Sequence, residues 1–373
     1  AGKTSVAEFT RQIFAASKHP AVSVGTLGVR GSVEDPGGLT TPDPVALHGR
    51  LARMKAGGIE HVAMEASSHG LDQRRLDGVR LCAAGFTNIG RDHLDYHPTE
   101  EAYLVAKLRL FDTLLPAGAP TVVDPDTPGG ARVLAVAQKP LTVGRDGDFI
   151  RLDGVRTVDH GAVLNLSTDG GAFEITLPLI GGFQIDNALV AAGLAIASGI
   201  APEAAVGALS ALTGAPGRLE LVGRANGAPI FVDYAHKPEA LSAALSAVRP
   251  GVAGRLIIVI GAGGDRDPGK RPLMGQAAHD GADVVIVTDD NPRSEDPATI
   301  RAAVLEAAPG AVEIGDRGAA IAQGIAMLRE GDALIVAGKG HEEGQTVKGV
   351  THPFNDRAAV LEALHASDAR DVS

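Results

Sequence analysis

The chain has 373 residues, of which 45% are hydrophobic and only 3% aromatic, so it is long enough for two or three domains with aliphatic cores. Its formal net charge of −11 argues against a nucleic-acid partner. Cys82 is the only cysteine, which excludes an internal disulfide and suits the cytosol, and no apolar run is long enough to span a bilayer.

The chain begins AGKTSVAEF. Ala1-Gly2-Lys3-Thr4-Ser5 has the form of the second half of a phosphate-binding loop, although taken alone a chance Gly-Lys-Thr at a chain terminus accounts for it better. Gly2 lets backbone N–H groups approach phosphate oxygens, Lys3 places an ammonium on the outer phosphates, and Thr4 can offer a hydroxyl to Mg²⁺. The stretch KTSVAEFTRQIFAA carries Val6, Phe9, Ile13 and Phe14 at helical spacing. The loop therefore feeds a helix N-terminus, which favours anions. Onward from there, AVSV, HVAM, AAGFTNI and PTVV read as strands, with helical patterns at 44–54 and 100–115. Residues 140–179 alternate apolar and polar with Gly- and Asp-rich turns, which predicts antiparallel hairpins. An Ala-rich helical stretch covers 186–212, and a boundary falls near Gly214. Beyond it LIIVIGAG, DVVIVTDD and ALIVAG are strands, with helices at 237–248, 297–307 and 317–328. The alternation predicts parallel α/β sheets in both halves.

Polar clusters follow the strand ends, where open α/β sheets bind ligands. After HVAM comes EASSHGLDQRR: Glu65 suits a hard cation, and Ser67, Gln73 and Arg75 suit an anionic, polar substrate. A Ser/Gly-rich turn with solvated arginines fits that segment equally well. Asn88, Arg91, Asp92, His93, Asp95 and His97 crowd into ten residues after the next strand, a density that favours a metal or acid–base site over a plain helix-capping loop. Asp233-Tyr234-Ala235-His236 leaves the run APIFV and opens a helix; Asp233 can accept hydrogen bonds from ribose hydroxyls. Arg266, Lys270 and Arg271 make GGDRDPGKRPLMG basic within an acidic protein, which points to an anionic ligand. DNPRSEDP and GKGHEEGQ complete the set. Each is an ordinary turn taken singly; together they describe one site rim.

Taken jointly, GKTS, EASSHGLDQRR, TNIGRDHLDYH, PGRLELV, DYAHKP, GGDRDPGKRPLMG, DNPRSEDP and GKGHEEGQ resemble the Mur ligases of peptidoglycan synthesis, from Ala1 to about Ala366. The nearest type is the one that adds a diamino acid to UDP-N-acetylmuramoyl-L-alanyl-D-glutamate. The resemblance implies a central P-loop-type ATPase domain over 1–214, a mostly parallel sheet plus antiparallel hairpins, followed by a Rossmann-like α/β domain over 215–373 that binds the incoming amino acid. It also implies a uridine-binding domain and a first central strand upstream of Ala1, and hence low turnover of the natural substrate by residues 1–373 alone.

The resemblance assigns site residues as well. Gly2, Lys3, Thr4, Ser5, Asn187, Arg218, Asp233 and His236 match ATP-binding positions; the family has Asn where this chain has Gln184. Thr4, Glu65 and His93 match metal-binding positions, and Lys107 matches a lysine that is carbamylated into a further Mg²⁺ ligand. Lys3, His93 and Lys107 are thus the implied catalytic set. Thr40, Thr41, Ser67, Gln73 and Arg75 match positions for the muramoyl-dipeptide. Arg266, Asp290, Asn291, Arg293, Gly338 and Glu342 match those around meso-diaminopimelate. Arg293 offers a planar fork for a carboxylate that L-lysine lacks, which favours diaminopimelate. The expected partners are small molecules only, with no nucleic acid and no membrane insertion, for a cytoplasmic monomer. Folylpolyglutamate synthase, a related ligase, and a nucleotide-binding fragment without catalysis are the rival readings.

Overall fold

In the computed structural model, described for residues 1–90, 96–158 and 161–371, the chain forms two compact units, Ala1–Thr213 and Gly214–Ser373. The first unit runs α1 (Lys3–Ala16), β1 (Ala21–Gly25), β2 (Gly28–Gly31), α2 (Pro44–Ala56), β3 (His61–Met64), α3 (Ser68–Asp72), β4 (Ala84–Phe86), α4 (Glu100–Arg109), β5 (Thr121–Val123), α5 (Gly130–Val136), β6 (Pro140–Gly144), β7 (Ile150–Val158), β8 (Gly161–Thr168), β9 (Gly171–Leu177), α6 (Gly182–Ala197) and α7 (Pro202–Ala208).

The helical spacing in the first fourteen residues after Gly2 is realised: Val6, Phe9, Ile13 and Phe14 of α1 are buried. They join the core of the unit with Ala188, Leu189, Ala191 and Ala192 of α6. β1 is buried along its whole length and pairs parallel to β3 on one side and antiparallel to β2 on the other. A second sheet runs β4-β5-β6-β7-β8-β9. Here residues 140–179 divide. β7, β8 and β9 are the expected antiparallel meander, but β6 pairs parallel to both β5 and β7. The expectation of hairpins from residue 140 fails there because alternation reports a half-buried face, not strand direction. The helix expected over 100–115 also changes character: α4 ends at Arg109 and a π-helical turn continues through Leu110–Leu114.

β3 and β4 are the outer strands of their two sheets. A cleft of about 590 Å³ lies between them, roofed by Val6, Ala7, Thr10 and Phe14 of α1. Its mouth carries polar residues that return below.

The second unit runs β10 (Glu220–Ala225), β11 (Ala228–Asp233), α8 (Pro238–Val248), β12 (Leu256–Ile260), α9 (Lys270–Gly281), β13 (Val284–Val287), α10 (Pro297–Leu305), β14 (Val312–Glu313), α11 (Arg317–Ala326), β15 (Ala333–Ala337), β16 (Gly344–Val347), β17 (Val350–Pro353) and α12 (Asp356–Asp371). The sheet order is β10-β11-β15-β12-β13-β14, parallel except for β10. β12 and β15 are buried at every residue, as near-continuous apolar runs in a parallel sheet require. Parallel pairing brings the carboxyl ends of β11, β12, β13 and β15 to one edge. β15 returns to the middle of the sheet, so its following loop lies between those of β11 and β12.

That edge is braced from below. Arg317, at the start of α11, donates from Nε to Asp356 Oδ1 at 2.7 Å and from Nη2 to Asp356 Oδ2 at 2.8 Å, and both side chains have no solvent exposure. Nη2 also donates to the Ala337 carbonyl at the end of β15, at 2.9 Å. Among the described residues, no helix is long and apolar enough to cross a membrane.

Candidate active site

In the first unit Gly2 lies against α6 and Ala1 is tied to the end of β4. Gly2 has φ +81°, and a Cβ there would come within 2.3 Å of Asn187 Oδ1, so only glycine lets the loop lie against this side chain on α6. Asn187 in turn donates from Nδ2 to Gln184 Oε1 at 3.1 Å, with both residues buried. Gln184 therefore holds Asn187 in place from within the same helix. Thr87 Oγ1 donates to the Ala1 carbonyl at 2.7 Å, which ties the loop to the end of β4.

Glu65 lies one residue past β3. Its Oε2 accepts from Thr4 Oγ1 at 3.0 Å, and its Oε1 accepts from the Thr26 N–H at 2.7 Å. A Cβ at Gly25 would meet Oε1 at 2.0 Å, so the carboxylate passes through space that glycine leaves open. Thr4 and Glu65 are both buried. Lys3, Glu65 and Lys107 line the same cleft. Lys107, on α4, is buried with Nζ 4.9 Å from the centre of the Tyr103 ring. Hydroxyl and carboxylate oxygens are the donors a hard divalent cation takes, so Thr4 and Glu65 fit Mg²⁺. A lysine ammonium does not fit it, whereas its carbamate does. His93 lies outside the described residues, as do Arg91, Asp92 and Asp95. Next to that segment the rings of His97, His69, Tyr96 and Tyr103 pack together. Among the described residues, His19, Glu60 and His61 form the one group of three with metal-ligand spacing; they sit at the opposite end of β3 from Glu65.

Thr40, Thr41, Ser67, Gln73 and Arg75, expected to hold the muramoyl-dipeptide, lie on segments linked to Glu65. Thr40 Oγ1 lies 3.1 Å from Thr26 Oγ1. Thr41 Oγ1 donates to the Glu65 carbonyl at 3.0 Å and accepts from the Ser67 N–H at 3.0 Å. Arg75 donates from Nη1 to the Thr41 carbonyl at 2.8 Å and from Nε to Gln73 Oε1 at 3.0 Å. Gly70 packs face-on against Thr41, where a Cβ would stand 2.6 Å from the threonine Cβ. Hydrogen bonds thus link Thr41, Ser67, Gln73 and Arg75, and Thr40 reaches Glu65 through Thr26.

In the second unit Asp233 ends β11. Its Oδ2 accepts from the Leu219 N–H and its Oδ1 from the Ala235 N–H, both at 2.7 Å. Burial pushes its carboxyl pKa up, against the pull of these amides and of Arg218. Arg218 lies over the Tyr234 ring, 4.6 Å from its centre. Burial lowers the pKa of His236, whose Nδ1 lies 2.7 Å from the Tyr234 carbonyl. His341 is lowered to about 4 by burial and by Arg218. Lys270, at the start of α9, donates to the His236 carbonyl at 3.1 Å, and burial lowers its pKa too.

Of the residues expected around diaminopimelate, Asp290, Asn291 and Arg293 follow β13, Gly338 and Glu342 follow β15, and Arg266 follows β12. Asn291 donates from Nδ2 to Asp290 Oδ1 at 3.1 Å and to Glu342 Oε2 at 2.8 Å. Arg293 takes φ +52°, a left-handed conformation that costs a non-glycine residue. The β16–β17 hairpin holds it there: its N–H donates to the Thr346 carbonyl at 2.9 Å and its own carbonyl accepts from Lys348. Arg293 Nη1 donates to the Gly264 carbonyl at 2.6 Å, beside the exposed Arg266. Gly338 takes φ +119°, in the left-handed region that favours glycine, and a Cβ there would stand 3.5 Å from Asp290 Oδ2 and 3.7 Å from Arg317 Nη2. The sequence reading missed the hairpin and the fully buried Lys339 between Gly338 and Glu342. A lysine two residues past an all-apolar strand was the available signal.

The Mur ligase middle domain profile matches residues 1–195, and that of the Mur ligase glutamate ligase domain matches residues 217–340. A UDP-N-acetylmuramoyl-L-alanyl-D-glutamate–2,6-diaminopimelate ligase of Agrobacterium fabrum is 57% identical over 98% of this chain and 76% of its own length. The enzyme of the same name from Rhizobium meliloti is 58% identical over 98% of this chain and 76% of its own length. A solved structure of a ligase with this name superposes with a TM-score of 0.72 at 36% identity, covering 99% of this chain and 77% of that one. A Mycobacterium tuberculosis folylpolyglutamate synthase, solved with ADP and AMPPCP, shares the fold with a TM-score of 0.69 at 18% identity, over 90% of this chain and 86% of its own.

Proposed function

The chain belongs to the Mur ligase family, and from that premise we propose that it is an ATP-dependent, ADP-forming ligase. It joins meso-diaminopimelate to the D-glutamyl side-chain carboxylate of UDP-N-acetylmuramoyl-L-alanyl-D-glutamate, in cytoplasmic synthesis of the peptidoglycan precursor. The observation that carries the reading is the seat of Glu65. Its carboxylate is bonded to Thr4 of the phosphate loop, and it shares one cleft with Lys3 and Lys107.

A carboxylate is a poor electrophile. Its oxygen attacks the γ-phosphorus of ATP, ADP leaves, and an acyl phosphate forms. The amine of diaminopimelate then attacks the acyl carbon; the amine loses a proton, and phosphate departs with the oxygen the carboxylate contributed. Lys3 and the Gly2 amide cradle the γ-phosphate, at the amino end of α1, where anions are favoured. Mg²⁺, when bound, spreads the charge that develops on the transferred phosphoryl group. Thr4, Glu65 and Lys107 as its carbamate would offer oxygen donors to the ion, and His93 would offer a ring nitrogen. Asn187 is the nucleoside-contacting residue proposed for the first unit, and Arg218, Asp233 and His236 are those proposed for the second. Thr40, Thr41, Ser67, Gln73 and Arg75 hold the muramoyl-dipeptide, so that residues 1–214 serve the first step. Residues 215–373 bring the amino acid, its distal carboxylate on Arg293.

The test is an ADP-release assay of the full-length protein with each acceptor and amino acid in turn. ADP should form only when both UDP-muramoyl-dipeptide and meso-diaminopimelate are present. ADP formation with a folate acceptor and L-glutamate, or ATP hydrolysis indifferent to the amino acid, contradicts the reading.

A further inference from the structure

We infer that Lys339 is a positioning residue that presets the half of the amino-acid site that takes an ammonium group. The inference rests on the diaminopimelate reading above and extends it to a residue outside the set which the family resemblance supplies.

The Lys339 side chain has no solvent exposure. Its Nζ donates to the Gly344 carbonyl at 2.7 Å and to Asn291 Oδ1 at 3.2 Å, and faces Glu342 Oε2 and Asp290 Oδ1, each at 3.3 Å. An ammonium has three donors and no acceptor, so four oxygens saturate it. Burying such a charge is costly unless it is paired and hydrogen-bonded. Here the cage spans the loop after β13, the loop after β15 and the start of β16. One side chain therefore fixes three segments against each other.

The consequence is directional. Asn291 Oδ1 is occupied by Lys339 and by the Thr346 N–H at 2.9 Å. The amide can then point only its Nδ2 group at the two carboxylates, which it reaches through Asp290 Oδ1 and Glu342 Oε2. Each carboxylate spends one oxygen on this network. Asp290 Oδ2 and Glu342 Oε1 stay outside it, and the former lies 3.5 Å from where a Cβ on Gly338 would stand. Two carboxylates against one ammonium leave an excess negative charge, because the neighbouring Arg317 is already paired with Asp356. A zwitterionic amino-acid head meets a preset anionic end here and the Arg293 guanidinium nearby. Without Lys339 the two acids face each other with no cation between them. The two acids then repel each other, and the spacing that Lys339 and Asn291 fix between them is lost.

The experiment is calorimetric titration of the 373-residue chain, whose second unit carries every residue named here. The ligands are meso-diaminopimelate and 2-aminopimelate, which keeps both carboxylates and lacks one amine. The unaltered chain should prefer meso-diaminopimelate by roughly tenfold or more, the scale of one charge-assisted hydrogen bond. Lys339→Met, similar in length and uncharged, should reduce that preference to about threefold or less while binding of 2-aminopimelate changes little. Lys339→Gln, which keeps a donor toward Gly344, is titrated in parallel; of the two, whichever retains the near-ultraviolet dichroism of the parent decides. A folded variant that keeps the full preference, or that loses affinity for both ligands equally, overturns the role of Lys339 and leaves the proposed activity standing. Absence of meso-diaminopimelate binding by the unaltered chain overturns the activity reading and this inference with it.

Discussion

Replacing Lys107 by alanine in the full-length protein should lower the ligation rate on the order of a thousandfold, the scale on which a preorganised charge-stabilising group acts. Lys107 is buried on α4 and lines the cleft that Lys3 and Glu65 also line. As an ammonium it would repel a divalent cation beside Glu65. As a carbamate, formed when the neutral amine attacks CO₂ and loses a proton, it presents two anionic oxygens instead. The Tyr103 ring below it fixes the direction of the side chain. The alanine variant leaves space where a short carboxylate can stand in. Activity should therefore return in part when formate or acetate is added, and the parent enzyme should show no such response. A variant with an unchanged rate, or one that carboxylates do not rescue, excludes Lys107 as an anionic metal ligand.

Arg293→Ala should cost meso-diaminopimelate on the order of 2–5 kcal/mol, the loss expected when a desolvated charge pair is broken. That corresponds to roughly thirty-fold to several-thousand-fold in kcat/KM. Arg293 is half-buried, held at φ +52° by the β16–β17 hairpin, and anchored through one nitrogen to the Gly264 carbonyl. Its remaining N–H groups are directed by this anchoring rather than by rotamer search, so less entropy is lost when a carboxylate arrives. L-Lysine offers no such carboxylate and leaves the guanidinium unpaired. The variant should raise KM for diaminopimelate steeply and barely change KM for ATP, because the residues proposed for ATP lie on other loops. Equal use of lysine and diaminopimelate by the parent enzyme, or a variant that keeps its preference, contradicts this assignment.

The parts of the fold that follow from local patterns were legible in the chain. α1 begins and ends where its apolar spacing says, because Phe9 and Ile13 have no exposed alternative. The apolar runs at β12 and β15 announce strands covered on both faces. The polar loops announce the sheet edge, because only strand carboxyl ends place so many short segments together. What stayed hidden is non-local. The parallel pairing of β6 depends on a partner, β5, brought in by the intervening α5, and no alternation encodes it. The β16–β17 hairpin is polar on both sides and reads as loop, yet it sets the conformation of Arg293. Lys339 looked like one more charge in a glycine-rich turn. Its role rests on Asp290 and Asn291, about fifty residues earlier in the chain, which sequence spacing does not reveal.

The central claim is that the protein activates a carboxylate by transferring phosphate to it. The most direct measurement uses UDP-muramoyl-dipeptide labelled with oxygen-18 in the D-glutamyl side-chain carboxylate, with ATP and meso-diaminopimelate, and mass analysis of the released inorganic phosphate. One labelled oxygen in each phosphate, in step with amide formation, is the predicted result. Phosphate without the label, with both labelled oxygens retained on the glutamyl carboxylate, would show that ATP is merely hydrolysed and would contradict the account.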